Sequence, residues 1–109
     1  MLEVILGSKT MERVLFYLVA RNEGYATEIA SFYNTRLTPV QNQLNKLENS
    51  GVIVSKKVGR TRVFMLNPRY PFIKELKALI KKGIEFLNND ERLRLTVYRK
   101  RPRRAGKPL

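Results

Sequence analysis

The chain has 109 residues, of which 43% are hydrophobic, and this length fits one packed domain with a terminal extension. It contains neither cysteine nor histidine, which excludes zinc fingers, disulfide frameworks, thiol nucleophiles and histidine-based acid–base catalysis. The 22 basic residues against 9 acidic ones give a formal net charge of +13. This excess indicates a polyanionic partner, and nucleic acid is the first candidate.

The remaining composition predicts a protein that is not an enzyme and needs no cofactor or metal ion. Its carboxylates are scattered, with no pair at a spacing typical of acid–base catalysis or of oxygen ligation to a metal. No apolar run approaches the roughly 20 residues that cross a bilayer. Residues 1–6 lack the basic leader of a secretory signal, so we expect them to be part of the fold. A cytoplasmic protein with no membrane partner is therefore expected.

A first helix is predicted over residues 8–22. Apolar side chains recur there at steps of three and four, which is the period of an amphipathic helix, and Ser8 is suited to cap its start. Phe16 and Tyr17 fall off this apolar stripe. They are therefore expected on a second buried face, either against a neighbouring element or in an interface with another subunit.

A short second helix and a well-marked third helix are predicted next. Gly24 breaks the first helix, and the second is expected to run over residues 27–33 with Thr27 as its cap. The third helix is predicted over residues 38–50. It begins with a capping-box pattern at Thr38, with proline at the first helical position, and ends at a serine and glycine pair that favours a left-handed helix end.

A β-hairpin and a fourth helix follow. Residues 52–58 and 61–66 are rich in β-branched side chains and are separated by a glycine and an arginine, which predicts two strands with a basic tip. The fourth helix is predicted over residues 71–87. Its apolar stripe is widened by Phe72, Leu79 and Phe86 at seven-residue intervals, more than contact with one domain needs. We therefore hypothesise that this face, with Phe16 and Tyr17, forms a homodimer interface.

The C-terminal part carries an alternating pattern and then a basic tail. Residues 92–98 alternate apolar and polar side chains, which predicts a short strand. The last 12 residues hold 6 basic residues, and residues 101–109 lack apolar periodicity, so a disordered tail is expected there. Its basic side chains are a possible DNA-binding arm that adds phosphate contacts, although RNA or an acidic protein would fit them as well. The arm comprises Arg99, Lys100, Arg101, Arg103 and Arg104.

The order of the predicted elements is typical of a winged helix-turn-helix, a mainly α fold with a small β-hairpin in the order α-α-α-β-β-α. We assign residues 1–88 to this domain and 89–109 to a basic C-terminal extension. In such a fold the third helix enters the major groove of DNA and the hairpin, or wing, lies along the backbone or in the minor groove. The predicted recognition helix is therefore 38–50 and the predicted wing 55–62.

The solvent face of the predicted recognition helix is rich in amides and nearly free of acid. Its helical phase places Thr38, Gln41, Asn42, Asn45, Lys46 and Asn49 opposite the apolar stripe. Amides can bond adenine in a bidentate manner, so Gln41 and Asn42 are the candidates for base contacts and Lys46 for phosphate or guanine. A plain solvated surface is the alternative, and capping could also occupy Gln41.

Four basic side chains surround the predicted hairpin tip, and Arg60 projects farthest from the domain. They are Lys56, Lys57, Arg60 and Arg62. Charges on an edge hairpin also prevent strand pairing between molecules, which is the alternative interpretation. Four cations without an acid favour contact with DNA.

The chain resembles prokaryotic ArsR-like and MarR-like winged-helix regulators, particularly the small winged-helix domains associated with minimal nucleotidyltransferases. The resemblance rests on LGSKT at residues 6–10, LTPVQNQL at 37–44 continuing through LENSGVI at 47–53, and NPRYPF at 67–72 with ELKAL at 75–79. It implies a cytoplasmic, nucleoid-associated dimer formed by terminal helices, with a wing around Arg60. It also implies groove contacts by Thr38, Pro39, Gln41, Asn42 and Gln43, although helical phase places Gln43 at the edge of the buried side.

The leading hypothesis is thus a homodimeric, sequence-specific regulator of transcription, with repression by occlusion of polymerase as the simplest mechanism. One alternative is an adaptor or antitoxin-like partner of a nucleotidyltransferase that uses the same fold. Another is an architectural or RNA-binding protein, for which Tyr25, Phe32, Tyr33 and Tyr98 are the conceivable stacking residues. No ligand pattern for a soft metal ion is present, so a metal-sensing role is not expected.

Overall fold

The computed structural model describes residues 1–97, which form six helices and three strands. The helices are α1 (Glu3–Leu6), α2 (Lys9–Arg21), α3 (Ala26–Phe32), α4 (Leu37–Asn49), α5 (Ile73–Glu85) and α6 (Asn89–Val97), and the strands are β1 (Glu23–Tyr25), β2 (Ile53–Val58) and β3 (Thr61–Leu66). The predicted basic tail, including the arm residues 99–104, lies outside the described residues. The predicted mainly α architecture with a hairpin is confirmed.

Helix α2 is the centre of the core and packs against α1, α4, α5 and α6. Its start agrees with the sequence, because the Ser8 side chain accepts a hydrogen bond from the Met11 N–H at 3.1 Å. Phe16 and Tyr17 are only 1% and 0% exposed within the single chain. Their prediction as interface residues is wrong, because α2 is surrounded on several sides by other elements of its own domain.

The sheet has three antiparallel strands in the order β1-β3-β2. The β2–β3 hairpin was predicted, whereas β1 was missed because Gly24 was interpreted only as a helix breaker. Gly24 pairs with Phe64, and a Cβ atom added to it would lie 2.7 Å from Cε1 of Tyr17. Glycine is therefore needed here so that the strand can pass directly over the Tyr17 ring.

The N-cap of helix α3 lies two residues earlier than predicted. The N-cap is Tyr25, whose backbone N–H donates to Oε1 of Glu28 at 3.2 Å. The assignment of Thr27 as the cap is therefore wrong, since Thr27 is an exposed residue of the first helical turn. The helix buries Ile29 and Ala30 in the core as expected.

The strand predicted for residues 92–98 is wrong, because residues 89–97 form helix α6. The Asn88 side chain accepts from the Glu91 N–H at 2.9 Å, which caps the helix start. Of the three apolar positions that suggested a strand, Leu95 is fully buried and Leu93 is 47% exposed. The two leucines thus lie on different sides of a helix rather than on one face of a strand.

Two arginines hold α6 against α2 and α3. Arg21 donates from Nη2 to the Arg94 carbonyl at 2.7 Å and from Nε to the Leu95 carbonyl at 3.2 Å. These carbonyls belong to the last described turn of α6. Arg94 in turn donates to the carbonyl of Phe32, the last residue of α3, at 2.7 Å. These side-chain hydrogen bonds therefore link α2 to α6 and α6 to the end of α3.

Helix α5 leaves an apolar stripe uncovered within the described residues. Its bounds fall inside the predicted range, and Ile80 and Ile84 are buried in the core. Phe72 and Phe86 at its ends are 62% and 72% exposed, and Leu79 between them is partly exposed. Val4 and Ile5 of α1 add further exposed apolar surface.

Candidate nucleic-acid interface

The third predicted helix is α4, and its two ends differ from each other in how they are stabilised. Its N-cap is Arg36 without a side-chain hydrogen bond, so the predicted capping box at Thr38 is wrong. Pro39 is the third helical residue rather than the first, a position where the missing N–H still costs no helical bond. At the other end, Val52 N–H donates to the Leu47 carbonyl and Gly51 adopts a φ of +85°, which confirms the predicted glycine end.

One side of α4 is buried and the other is open, as its sequence pattern predicted. Val40, Leu44 and Leu47 are 2%, 0% and 7% exposed and face the core. The exposed residues include the predicted set of Thr38, Pro39, Gln41, Asn42, Asn45, Lys46 and Asn49. Gln43 is half-buried, in agreement with its helical phase and less suited to a groove contact than its neighbours.

The four basic side chains of the wing lie on both faces of the hairpin and at its tip. Val58 pairs with Thr61, so Gly59 and Arg60 form a two-residue turn, and Gly59 has the left-handed φ of +65°. Lys57 pairs with Arg62 on one face, while Lys56 pairs with Val63 on the other. All four bases are exposed, as predicted.

A groove of about 500 Å³ lies between α4 and the wing and brings part of the predicted site together. From the predicted set it is lined by Gln41, Asn42, Asn45, Arg60 and Arg62. Sequence reasoning missed the contribution of the start of α3, where Tyr25 and Thr27 also line the groove. The signal for this was present, because a helix-turn-helix places the first helix of the pair beside the second.

Other predicted site residues lie outside this groove. Thr38 and Pro39 are at the start of α4, and Lys46 is on its outer side. Lys56 and Lys57 lie along β2. All five residues are exposed, and none of them lines the groove. The charged residues that line the groove are both arginines, and no carboxylate is among its lining residues. Its field therefore favours an anion, and its amides offer both donors and acceptors.

Comparisons with known proteins support the fold assignment. No family sequence model matches the chain, and no curated protein sequence matches it. Among solved structures, HlyU from Vibrio cholerae aligns with a TM-score of 0.60 and 19% identity, covering 77% of this chain and 82% of that one. The homodimeric winged helix-turn-helix DNA-binding domain of Mb0332 from Mycobacterium bovis, a possible ArsR-family regulator, aligns with a TM-score of 0.57 and 20% identity, covering 80% and 79%. The fold is a winged helix-turn-helix.

A third solved structure with this winged helix-turn-helix likeness is MepR, a transcription regulator of the multidrug efflux pump MepA of Staphylococcus aureus. It aligns with a TM-score of 0.58 and 18% identity, covering 83% of this chain and 73% of that one. At such identities the likeness establishes the fold. In this fold α3 and α4 are the helix pair, α4 takes the position of the recognition helix and β2–β3 takes that of the wing.

Two of the aromatic residues considered for RNA stacking, Phe32 and Tyr33, are engaged within the domain itself. The guanidinium groups of Arg21 and Arg94 lie 4.7 and 4.3 Å from the centre of the Phe32 ring. Burial raises the pKa of the Tyr33 phenol, whose hydroxyl has no hydrogen-bond partner among the described residues. Tyr25 lines the groove, and Tyr98 lies outside the described residues. These placements do not favour stacking of unpaired bases by Phe32 or Tyr33.

Residues 1–97 lack both a metal-ligand cluster and a membrane-spanning helix. They contain no group of three or more histidine, cysteine, aspartate or glutamate side chains placed to hold a metal ion. None of their helices combines the length and apolarity needed to cross a membrane.

Proposed function

We propose that this winged helix-turn-helix protein is a sequence-specific regulator of transcription that binds double-stranded DNA, with α4 in the major groove and the wing on the backbone or in the minor groove. The observation that carries the proposal is the groove in which three amides of α4 face two arginines of the wing without any lining carboxylate. Repression by occlusion of polymerase is the mechanism that requires nothing more than binding.

The side chains of the groove divide into those suited to bases and those suited to phosphates. Asn42 and Gln41 are exposed in the first half of α4, and an amide can donate to adenine N7 and accept from the adenine N6 amino group at once. Arg60 stands at the hairpin tip, where it can reach the minor groove or the backbone. The basic tail, Arg99 to Arg104, would add phosphate contacts that carry no sequence information.

We further propose that the protein acts as a homodimer through the exposed stripe of α5. Phe72, Leu79 and Phe86 are spaced by seven residues, so an antiparallel pair of α5 helices centred on Leu79 brings Phe72 to the partner's Phe86. The same arrangement brings Glu75 near the partner's Lys82. A two-fold dimer presents two recognition helices to half-sites about one helical turn apart.

Glutamate in place of Leu79 tests the dimer. The charge would be buried in the centre of the proposed interface without a partner, so the dimer is expected to dissociate to monomers at micromolar concentration. Sedimentation or light scattering gives the mass directly. Ala78→Glu is the matched control, because Ala78 is exposed on the adjacent side of the same helix and its variant should remain dimeric. If the two variants have the same mass in solution, the interface lies elsewhere.

Selection from a pool of random duplex DNA at about physiological salt tests the whole proposal, because non-specific phosphate contacts weaken under these conditions. A two-fold-related sequence motif is the expected product. Recovery of an unenriched pool would contradict sequence-specific binding and would favour an architectural or protein-binding role for the same fold.

A further inference from the structure

A chain of hydrogen bonds connects the recognition helix to the wing. The Ser55 hydroxyl of β2 donates to Oε2 of Glu48 in α4 at 2.5 Å. Nη1 of Arg62 in β3 donates to the same Ser55 oxygen at 2.9 Å. Because a hydroxyl has one proton and its oxygen also accepts, the donors run in one direction from Arg62 through Ser55 to Glu48.

The three residues lie where the helix and the wing border the groove. Glu48 follows Asn45 by three positions and Gln41 by seven, so it continues the groove-facing side of α4 into its last turn. Arg62 pairs with Lys57, two residues from Ser55, so Ser55 and Arg62 share one face of the hairpin. Arg62 also lines the groove. The chain of bonds therefore ends on a cation that faces the proposed DNA surface.

The negative charge of Glu48 is unfavourable at this position for two reasons. A carboxylate in the last turn of a helix opposes the helix dipole, and one beside a DNA-binding groove repels phosphate. Arg62, in contrast, is an exposed side chain with many rotamers, and binding would cost the entropy of ordering it. Anchoring Arg62 through Ser55 reduces that cost before DNA arrives. Glu48 is unfavourable for the stability of α4, yet it is hydrogen-bonded through Ser55 to an arginine that lines the groove. This combination is more consistent with a role in binding than with a role in helix stability.

We propose that Glu48 is a positioning residue that orients Arg62, through Ser55, towards a DNA phosphate beside the groove. This inference rests on the proposed duplex binding and adds to it a residue that does not itself touch DNA. It also predicts that removing this carboxylate changes the affinity for DNA in the direction opposite to that expected from electrostatic repulsion alone. Removal of an acid near DNA ordinarily strengthens binding, whereas removal of Glu48 should weaken it.

A double-mutant cycle between Glu48→Ala and Arg62→Ala tests the proposal on the full chain with the duplex selected above. Each single variant is expected to bind about 3- to 10-fold more weakly, and the double variant no more weakly than Arg62→Ala alone. Each single variant should also lower the slope of log affinity against log salt concentration by about 1, because one phosphate contact is lost. Glu48→Gln keeps an acceptor oxygen for Ser55 and should restore part of the affinity.

Glu85→Ala is the matched control, since Glu85 is a carboxylate in the last turn of α5 as half-buried Glu48 is in the last turn of α4, but Glu85 is exposed. It should leave binding unchanged or slightly tighter. Ser55→Ala breaks the same chain from its middle and serves as a second variant should Glu48→Ala prove unfolded by circular dichroism. Tighter binding by Glu48→Ala, or losses that add in the double variant, would overturn the positioning role alone. Failure of the wild-type chain to prefer any duplex would overturn the proposed function as well.

Discussion

Replacement of both Asn42 and Arg60 with alanine is expected to lower affinity for the selected duplex on the order of 100-fold, since a bidentate base contact contributes about 1–3 kcal/mol and the wing adds a phosphate or minor-groove contact. Both side chains line the groove between α4 and the wing. Because both are exposed, the free energy of unfolding should change by less than about 0.5 kcal/mol. Fluorescence anisotropy with the selected duplex and with a scrambled one measures the effect.

The single variants separate the two kinds of contact. Asn42→Ala should reduce the preference for the selected duplex while leaving the salt dependence unchanged, whereas Arg60→Ala should weaken binding to every duplex and lower the salt slope by about 1. Asn49→Ala is a matched control, because Asn49 is exposed on α4 but does not line the groove. If Asn42→Ala and Asn49→Ala lose the same affinity, α4 does not read bases with the residues assigned here.

The parts of the fold that were predictable are those specified by neighbouring residues. The end of α4 needed only Gly51 after a helical stripe, and the hairpin needed only two β-branched runs around Gly59. The exposed amides of α4 followed from its apolar stripe, since burial of Val40, Leu44 and Leu47 leaves the opposite side open. Local chemistry therefore predicted the end and the exposed side of α4 and the β2–β3 hairpin.

The errors arose where distant residues decide the structure. Strand β1 has three residues and exists because it pairs with β3, some 40 positions later in the chain. Phe16 and Tyr17 lie off the main apolar stripe of α2 yet are buried, since α2 is surrounded by α1, α4, α5 and α6. The groove shared by α4 and the wing is likewise a property of packing, so sequence could propose its residues but not their proximity.

Helix α6 depends both on a local sequence pattern and on contacts with distant residues. Asn88 and Glu91 form a helix-start pattern that was present in the sequence, but it was interpreted as the end of the preceding helix. The alternation of leucines then suggested a strand. What holds the helix in place is distant, since Arg21 lies more than 70 positions earlier and donates to the carbonyls of Arg94 and Leu95.

Alanine substitutions at Leu95 and Leu93 should therefore have very different effects on stability. Leu95 is fully buried against α2, so Leu95→Ala should cost about 2–5 kcal/mol of unfolding free energy through lost burial and a residual cavity. Leu93 is 47% exposed, and Leu93→Ala should cost less than about 1 kcal/mol. Urea denaturation followed by circular dichroism measures both values under the same conditions.

The ratio of the two losses distinguishes a helix from a strand in solution. Residues two apart share one face of a strand, so a strand packed on the core would lose similar stability at Leu93 and Leu95. In a helix they are separated by about 200° of rotation, and only one of them can face α2. Equal losses would contradict α6, and with it the hydrogen bonds from Arg21 to its carbonyls. A large loss at Leu95 alone requires that the core extend beyond α5 to residue 95.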